Sequence, residues 1–182
     1  MYLRESSKAA LGGIISALAV VIMASTYISP ILVYTAPAFA GLLLLIIVNE
    51  ISYKWALGTF ISVSLLSMFM IADKEAAVFF TFFFGYFPIL SKYLENAVKN
   101  KWIRTLIKAI IFNASSIISI LISLFVFGIS YDDFQDEGAL YIVIFFILMN
   151  VLFLIYDSLV ISLQLLYEKK LKKRFKKLFN IK

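Results

Sequence analysis

The chain has 182 residues, 63% of them hydrophobic and 15% charged, with a formal net charge of +6 and neither cysteine nor histidine. Average soluble domains are about half apolar and about a quarter charged, so a chain of this length cannot hide so much apolar surface from water, and a bilayer must be its solvent. The two missing residue types exclude disulfides, thiol nucleophiles, the usual zinc, haem and iron–sulfur ligand sets, and the commonest general base at neutral pH.

A membrane-spanning helix needs about 20 mostly apolar residues. In chain order, six segments meet that measure: 9–28, 31–48, 55–72, 76–90, 103–127 and 139–166. The predicted fold is therefore all-α: a polytopic membrane protein with six transmembrane helices in a compact bundle, followed by a basic amphipathic C-terminal helix. The bundle is expected over residues 1–166 and the tail over 167–182. The first apolar run is longer than the h-region of a signal peptide and five more spans follow it, so it is expected to be retained.

The first span opens with small residues. Ala9, Gly13 and Ala17 recur every four positions, with Gly12 and Ser16 beside them. Such a surface lets another helix approach closely. It serves either packing within the bundle or contact with a separate membrane protein.

Spans three and four are separated by Asp73, Lys74 and Glu75 alone, which predicts a tight antiparallel hairpin. These charges read either as a plain turn or as the rim of a site. The fourth span is short and rich in aromatics (Phe79, Phe80, Phe82, Phe83 and Phe84), and Gly85 and Pro88 are placed to bend it. Bent or broken helices often line cavities in membrane proteins.

The fifth span carries Asn113, Ser116, Ser119 and Ser123 at spacings of three and four, which is one helical face. The sixth carries Asn150, Asp157 and Gln164 every seven residues, again one face. Polar groups in hydrocarbon usually turn toward the bundle interior, so these two faces are expected to meet. Asp157 lies about 13 Å in from the end of its helix, counting about 1.5 Å per residue. A charged carboxylate there costs about 2.5–3.5 kcal/mol and calls for a partner or a proton. Lys108 and Asn113 are the candidate partners, forming an intramembrane polar network with Asp157. The alternatives for Asp157 are ion or proton coupling and direct substrate contact.

Lysine and arginine concentrate on the cytoplasmic side of membrane proteins. Sixteen of the seventeen fall in the N-terminal flank, the 49–54 connection, the 91–108 region and the tail, leaving Lys74 alone on the other side. An integral cell-membrane protein with both termini cytoplasmic is predicted. The acidic stretch 131–137 then lies outside, together with the Asp73–Lys74–Glu75 hairpin. In the tail, Leu171, Phe175, Leu178 and Phe179 share one face of a strongly basic helix. Such a helix lies on anionic lipids of the inner leaflet or docks on a cytoplasmic partner.

The chain has no G-x-x-x-x-G-K-[ST] phosphate loop, no H-E-x-x-H, and no G-x-S-x-G with a histidine partner. No enzymatic activity, cofactor, metal site or nucleic-acid partner is expected.

Six spans in under 200 residues, cytoplasmic termini and A-x-x-x-G-x-x-x-A at Ala9, Gly13 and Ala17 resemble the substrate-binding S component of energy-coupling factor transporters. In that family the first helix usually carries A-x-x-x-A, and Gly13 replaces the central alanine here. The resemblance implies a membrane subunit that captures a vitamin or similar small molecule and topples to deliver it. A transmembrane coupling subunit and cytoplasmic ATPases would be its partners. It also implies that Ala9, Gly13 and Ala17 meet the coupling subunit. The ligand would sit near the outer face, with Tyr34, Asp73, Lys74, Glu75, Tyr86 and Asn150 as candidate contacts. The metal-type members use an N-terminal histidine that this chain lacks, which argues against nickel or cobalt. Two alternatives stay open beside this reading: a non-enzymatic membrane scaffold or assembly protein, and a stand-alone secondary transporter using Asp157.

Overall fold

A computed structural model describes residues 4–29, 31–127 and 138–171. The described residues are helical, with no strand among them: α1 (Glu5–Ala24), α2 (Leu32–Glu50), α3 (Tyr53–Met70), α4 (Lys74–Phe79), α5 (Phe87–Ala97), α6 (Lys101–Phe127) and α7 (Gly138–Leu166). A π-helical turn over Phe80–Phe84 joins α4 to α5, and another over Tyr167–Leu171 continues α7. Six helical segments are long and apolar enough to cross a bilayer, α4 and α5 together making the fourth. The protein is a polytopic helical membrane protein.

The fourth span differs from expectation in length and shape. It runs over Lys74–Ala97 rather than ending at residue 90, because the helix re-forms after the π turn and carries Ser91, Lys92 and Glu95 with it. Lys74 and Glu75 belong to its first turn instead of to a loop. The tail beyond Leu171, the acidic stretch 131–137 and the side chain of Ser123 lie outside the described residues.

Side-chain ties fix which helix ends come together. The Tyr27 hydroxyl, just past α1, accepts from the Ala72 amide at the end of α3 (2.9 Å). At the opposite end, Asn96 of α5 donates to the Tyr53 hydroxyl at the start of α3 (2.7 Å), and Lys92 of α5 pairs with Glu168 beyond α7 (2.6 Å). The Tyr167 hydroxyl donates to Glu50 at the end of α2. The α2–α3 and α5–α6 connections and the Tyr167–Leu171 continuation of α7 thus share one end, called here the basic end. The α3–α4 hairpin marks the other.

The fourth span lies at the centre: 61% of its most apolar stretch is buried, against 50% or less for the others. Its aromatics make the core. Phe83 meets Phe112 of α6 edge-on (5.2 Å between ring centroids), Phe84 meets Tyr156 of α7 (4.9 Å), and Phe87 meets Phe153 (5.6 Å). Phe112 and Phe153 close the column at 5.1 Å. The rings therefore pack on one another, which offset and edge-on geometry favours.

The π turn in this span has a specific setting. Pro88 has no N–H and sits four residues after Phe84, so the Phe84 carbonyl loses its helical donor. The Gly85 amide instead reaches back to the Phe80 carbonyl (2.7 Å), closing the wider π turn. The Tyr156 hydroxyl, aimed across from α7, lies 3.1 Å from the stranded Phe84 oxygen and 3.3 Å from the Ala38 oxygen. Gly41 of α2 packs directly on this junction. A Cβ there would stand 2.8 Å from both the Phe84 carbonyl carbon and the Tyr156 hydroxyl.

Candidate functional site

Two features of the bundle carry chemistry or contact potential: a polar seam inside it and an open groove on its side.

The seam runs where α6 faces α7. Lys108, two turns into α6, is 0% exposed. Its ammonium donates to Asp157 Oδ1 of α7 (2.6 Å) and to Ser91 Oγ of α5 (2.7 Å), and it lies 5.8 Å from the centre of the Phe87 ring. Three helices thus converge on one buried cation. An ion this deep is tolerable only with such partners, because taking either charge out of water alone costs several kcal/mol. Farther along the seam, Asn113 and Asn150 exchange reciprocal amide hydrogen bonds, both 3.0 Å. Each also donates to a carbonyl one turn back on its own helix, Ala109 for Asn113 and Phe146 for Asn150, both at 2.9 Å. Ser116 and Ser119 are buried in the same face, but their hydroxyls bond carbonyls of α6 itself and tie nothing across. Toward the basic end, Gln164 is buried and neither of its amide atoms has a hydrogen-bond partner among the described residues.

The predicted network residues Lys108, Asn113 and Asp157 therefore form two ties rather than one. Lys108 takes Asp157, while Asn113 takes Asn150. Ser91 is the member that the sequence reading passed over, because it falls at what looked like the end of a span.

The six ligand candidates are distributed over separate interactions. Asp73 is the N-cap of α4, its carboxylate accepting from the Ala76 amide (3.2 Å). Lys74 donates to the Met68 and Ile71 carbonyls (2.7 and 2.9 Å), covering the last turn of α3. The turn charges thus satisfy backbone groups that helix ends leave open. Glu75 is exposed. Tyr34 meets Phe79 edge-on (5.1 Å). Asn150 is engaged with Asn113, and the Tyr86 hydroxyl is buried with no hydrogen-bond partner among the described residues. No group of three or more acidic side chains poised to hold a metal occurs among the described residues.

The groove lies between α1 and α3. It holds about 470 Å³ and is lined by the small residues Ala9, Gly12, Gly13, Ser16, Gly58, Thr59 and Ser62, with Lys54 and Trp55 at its basic end. Gly12 faces inward, where a Cβ would meet Thr59 Oγ1 at an ordinary 3.5 Å, so α1 and α3 approach closely there. Ala9, Gly13 and Ala17 point outward and are exposed, and a Cβ at Gly13 or Gly58 would meet nothing within 4 Å. Around this strip Ile14, Leu18, Val21, Leu57, Ile61 and Leu65 are exposed, as lipid- or protein-facing residues of a membrane bundle are. The α3 wall was missed from sequence, although Gly58 and Ser62 repeat the small-residue spacing of α1.

Compared with known proteins, the chain matches no family model, no curated protein and no solved structure.

Proposed function

We propose that this chain is a non-catalytic membrane subunit that works with a separate membrane protein docked along the α1–α3 groove. The groove carries the reading. Its two walls present small residues outward, with open space above Gly13 and Gly58, while the other face of α1 is used for packing on α2 and α3. Close backbone approach is how helices associate in lipid, where no hydrophobic driving force acts between them. The specific form proposed is substrate capture for an importer of the energy-coupling factor type. Ala9, Gly13 and Ala17 would meet the coupling subunit, partner ATPases would supply the energy, and the termini would be cytoplasmic.

The test is recovery of the tagged chain from its native membrane in mild detergent, followed by identification of co-purifying subunits. The proposal expects a membrane partner together with ATPase subunits, both lost in Gly13→Leu and Gly58→Leu while the chain keeps its helical content and elution volume. Recovery of a membrane partner without ATPases would support the scaffold reading instead. Partner recovery unchanged by both leucines would overturn the groove as the docking surface.

A further inference from the structure

The basic end carries a second surface, independent of the groove, at the corner where α5 turns into α6. Val98 leaves the helical conformation, and Asn100 starts α6 by accepting from the Trp102 amide through its side chain (3.0 Å) and from the Arg104 amide through its carbonyl (3.1 Å). That turn sets Trp102 on the outside, 79% exposed, although it is the largest apolar ring type in the chain. On the same face Leu106 and Ile110 follow at one-turn intervals, both 60% exposed. Exposed apolar residues in that register meet acyl chains, and tryptophan at the head of such a strip marks the headgroup level.

Charge sits directly above the ring. Lys99 and Lys101 are exposed, and the Lys101 ammonium lies 5.8 Å from the Trp102 ring centre. A cation over an indole face is held in place by the ring quadrupole. Lys92 and Arg104 are drawn elsewhere: Lys92 pairs with Glu168, and Arg104 is half-buried on another side of α6. Among the described residues no acidic side chain is paired with Lys99 or Lys101. An apolar strip one helix wide, capped by an aromatic ring and two cations without acidic partners, is complementary to a single lipid with a negative headgroup.

We propose that this corner binds an anionic phospholipid, its phosphate held by Lys99 and Lys101 and one acyl chain lying along Trp102, Leu106 and Ile110. Each lysine near a membrane surface favours an anionic lipid over a neutral one by about 5-fold.

The chain has two tryptophans, so a Trp55→Phe background makes Trp102 the only reporter. The full chain is reconstituted in phosphatidylcholine bilayers in which brominated-chain phosphatidylglycerol, or brominated-chain phosphatidylcholine, is introduced in steps. Quenching of Trp102 then reads the binding constant of each lipid at this corner. The expected ratio of the glycerol lipid to the choline lipid is about 5-fold or more. It falls toward one in Lys99→Ala/Lys101→Ala and is unchanged in Lys54→Ala, which removes an exposed cation at the same end but off the corner. Circular dichroism confirms that each variant is folded. A ratio of one in the parent would overturn the proposal outright, and a ratio that survives the double substitution or an equal loss in Lys54→Ala would overturn it in favour of unlocalised surface charge.

Discussion

Removing one member of the Lys108–Asp157 pair is the most informative perturbation of the bundle. At 2.6 Å the two charges attract by about 6 kcal/mol with an effective dielectric of 20, before any desolvation is counted. That attraction is opposed by the cost of taking both ions out of water, which is of the same order. The net worth of the pair is therefore near zero against an apolar replacement, while the cost of breaking it is large. Asp157→Leu leaves an ammonium that is 0% exposed with one neutral oxygen, Ser91 Oγ, and is expected to destabilise by about 3–5 kcal/mol. Lys108→Met leaves Asp157, whose side chain is only 8% exposed, with no cation in contact. It is also destabilising by a comparable amount, because it likewise leaves one buried charge without its partner. The double variant Lys108→Met/Asp157→Leu fills the same space with apolar groups and recovers most of the loss. Reversible unfolding in mixed micelles with increasing dodecyl sulfate, followed by circular dichroism, measures all four proteins. A double variant as unstable as the sum of the singles, or an Asp157→Leu cost below about 1 kcal/mol, would refute this balance of attraction and desolvation.

Two further outcomes follow from the backbone contacts. Gly41→Ala drives a methyl into the Phe84 carbonyl and the Tyr156 hydroxyl, neither of which is the end of a flexible chain, and should cost about 1–3 kcal/mol or more in the same unfolding assay, whereas Gly58→Ala meets nothing and should be neutral or stabilising. Asp73→Ala removes the cap on α4 and should cost about 1 kcal/mol, with Asp73→Asn or Asp73→Ser restoring it, since the cap needs an acceptor and not a charge.

The hairpin at Asp73, Lys74 and Glu75 shows why a charge cluster in an apolar chain is ambiguous from sequence. The residues are equally compatible with a rim that receives a ligand and with helix ends that need partners. Only the positions of the Ala76 amide and the Met68 and Ile71 carbonyls assign two of the three charges to capping. The aromatic run 79–84 was ambiguous in the same way; Phe80, Phe83 and Phe84 prove to be core, with Phe83 facing Phe112 and Phe84 facing Tyr156.

What the sequence determined by itself is set by solvent and period. An apolar fraction this high admits only membrane spans, so their number could be counted from run lengths. Seven-residue spacing forced Asn150, Asp157 and Gln164 onto one face of α7, and the cost of polar groups in hydrocarbon turned that face inward. What only the tertiary structure decided is pairing between helices. Lys108 finds Asp157, and Asn113 finds Asn150, because α6 and α7 pack at one particular axial offset, which no local pattern encodes. The same holds for Tyr156. Proline at 88 announces that the Phe84 carbonyl will lack its donor, but the hydroxyl that serves it lies 72 residues away and is brought there by α7 packing on the fourth span. Local periodicity says which face is buried, whereas the partner on that face depends on how whole helices slide and rotate against each other.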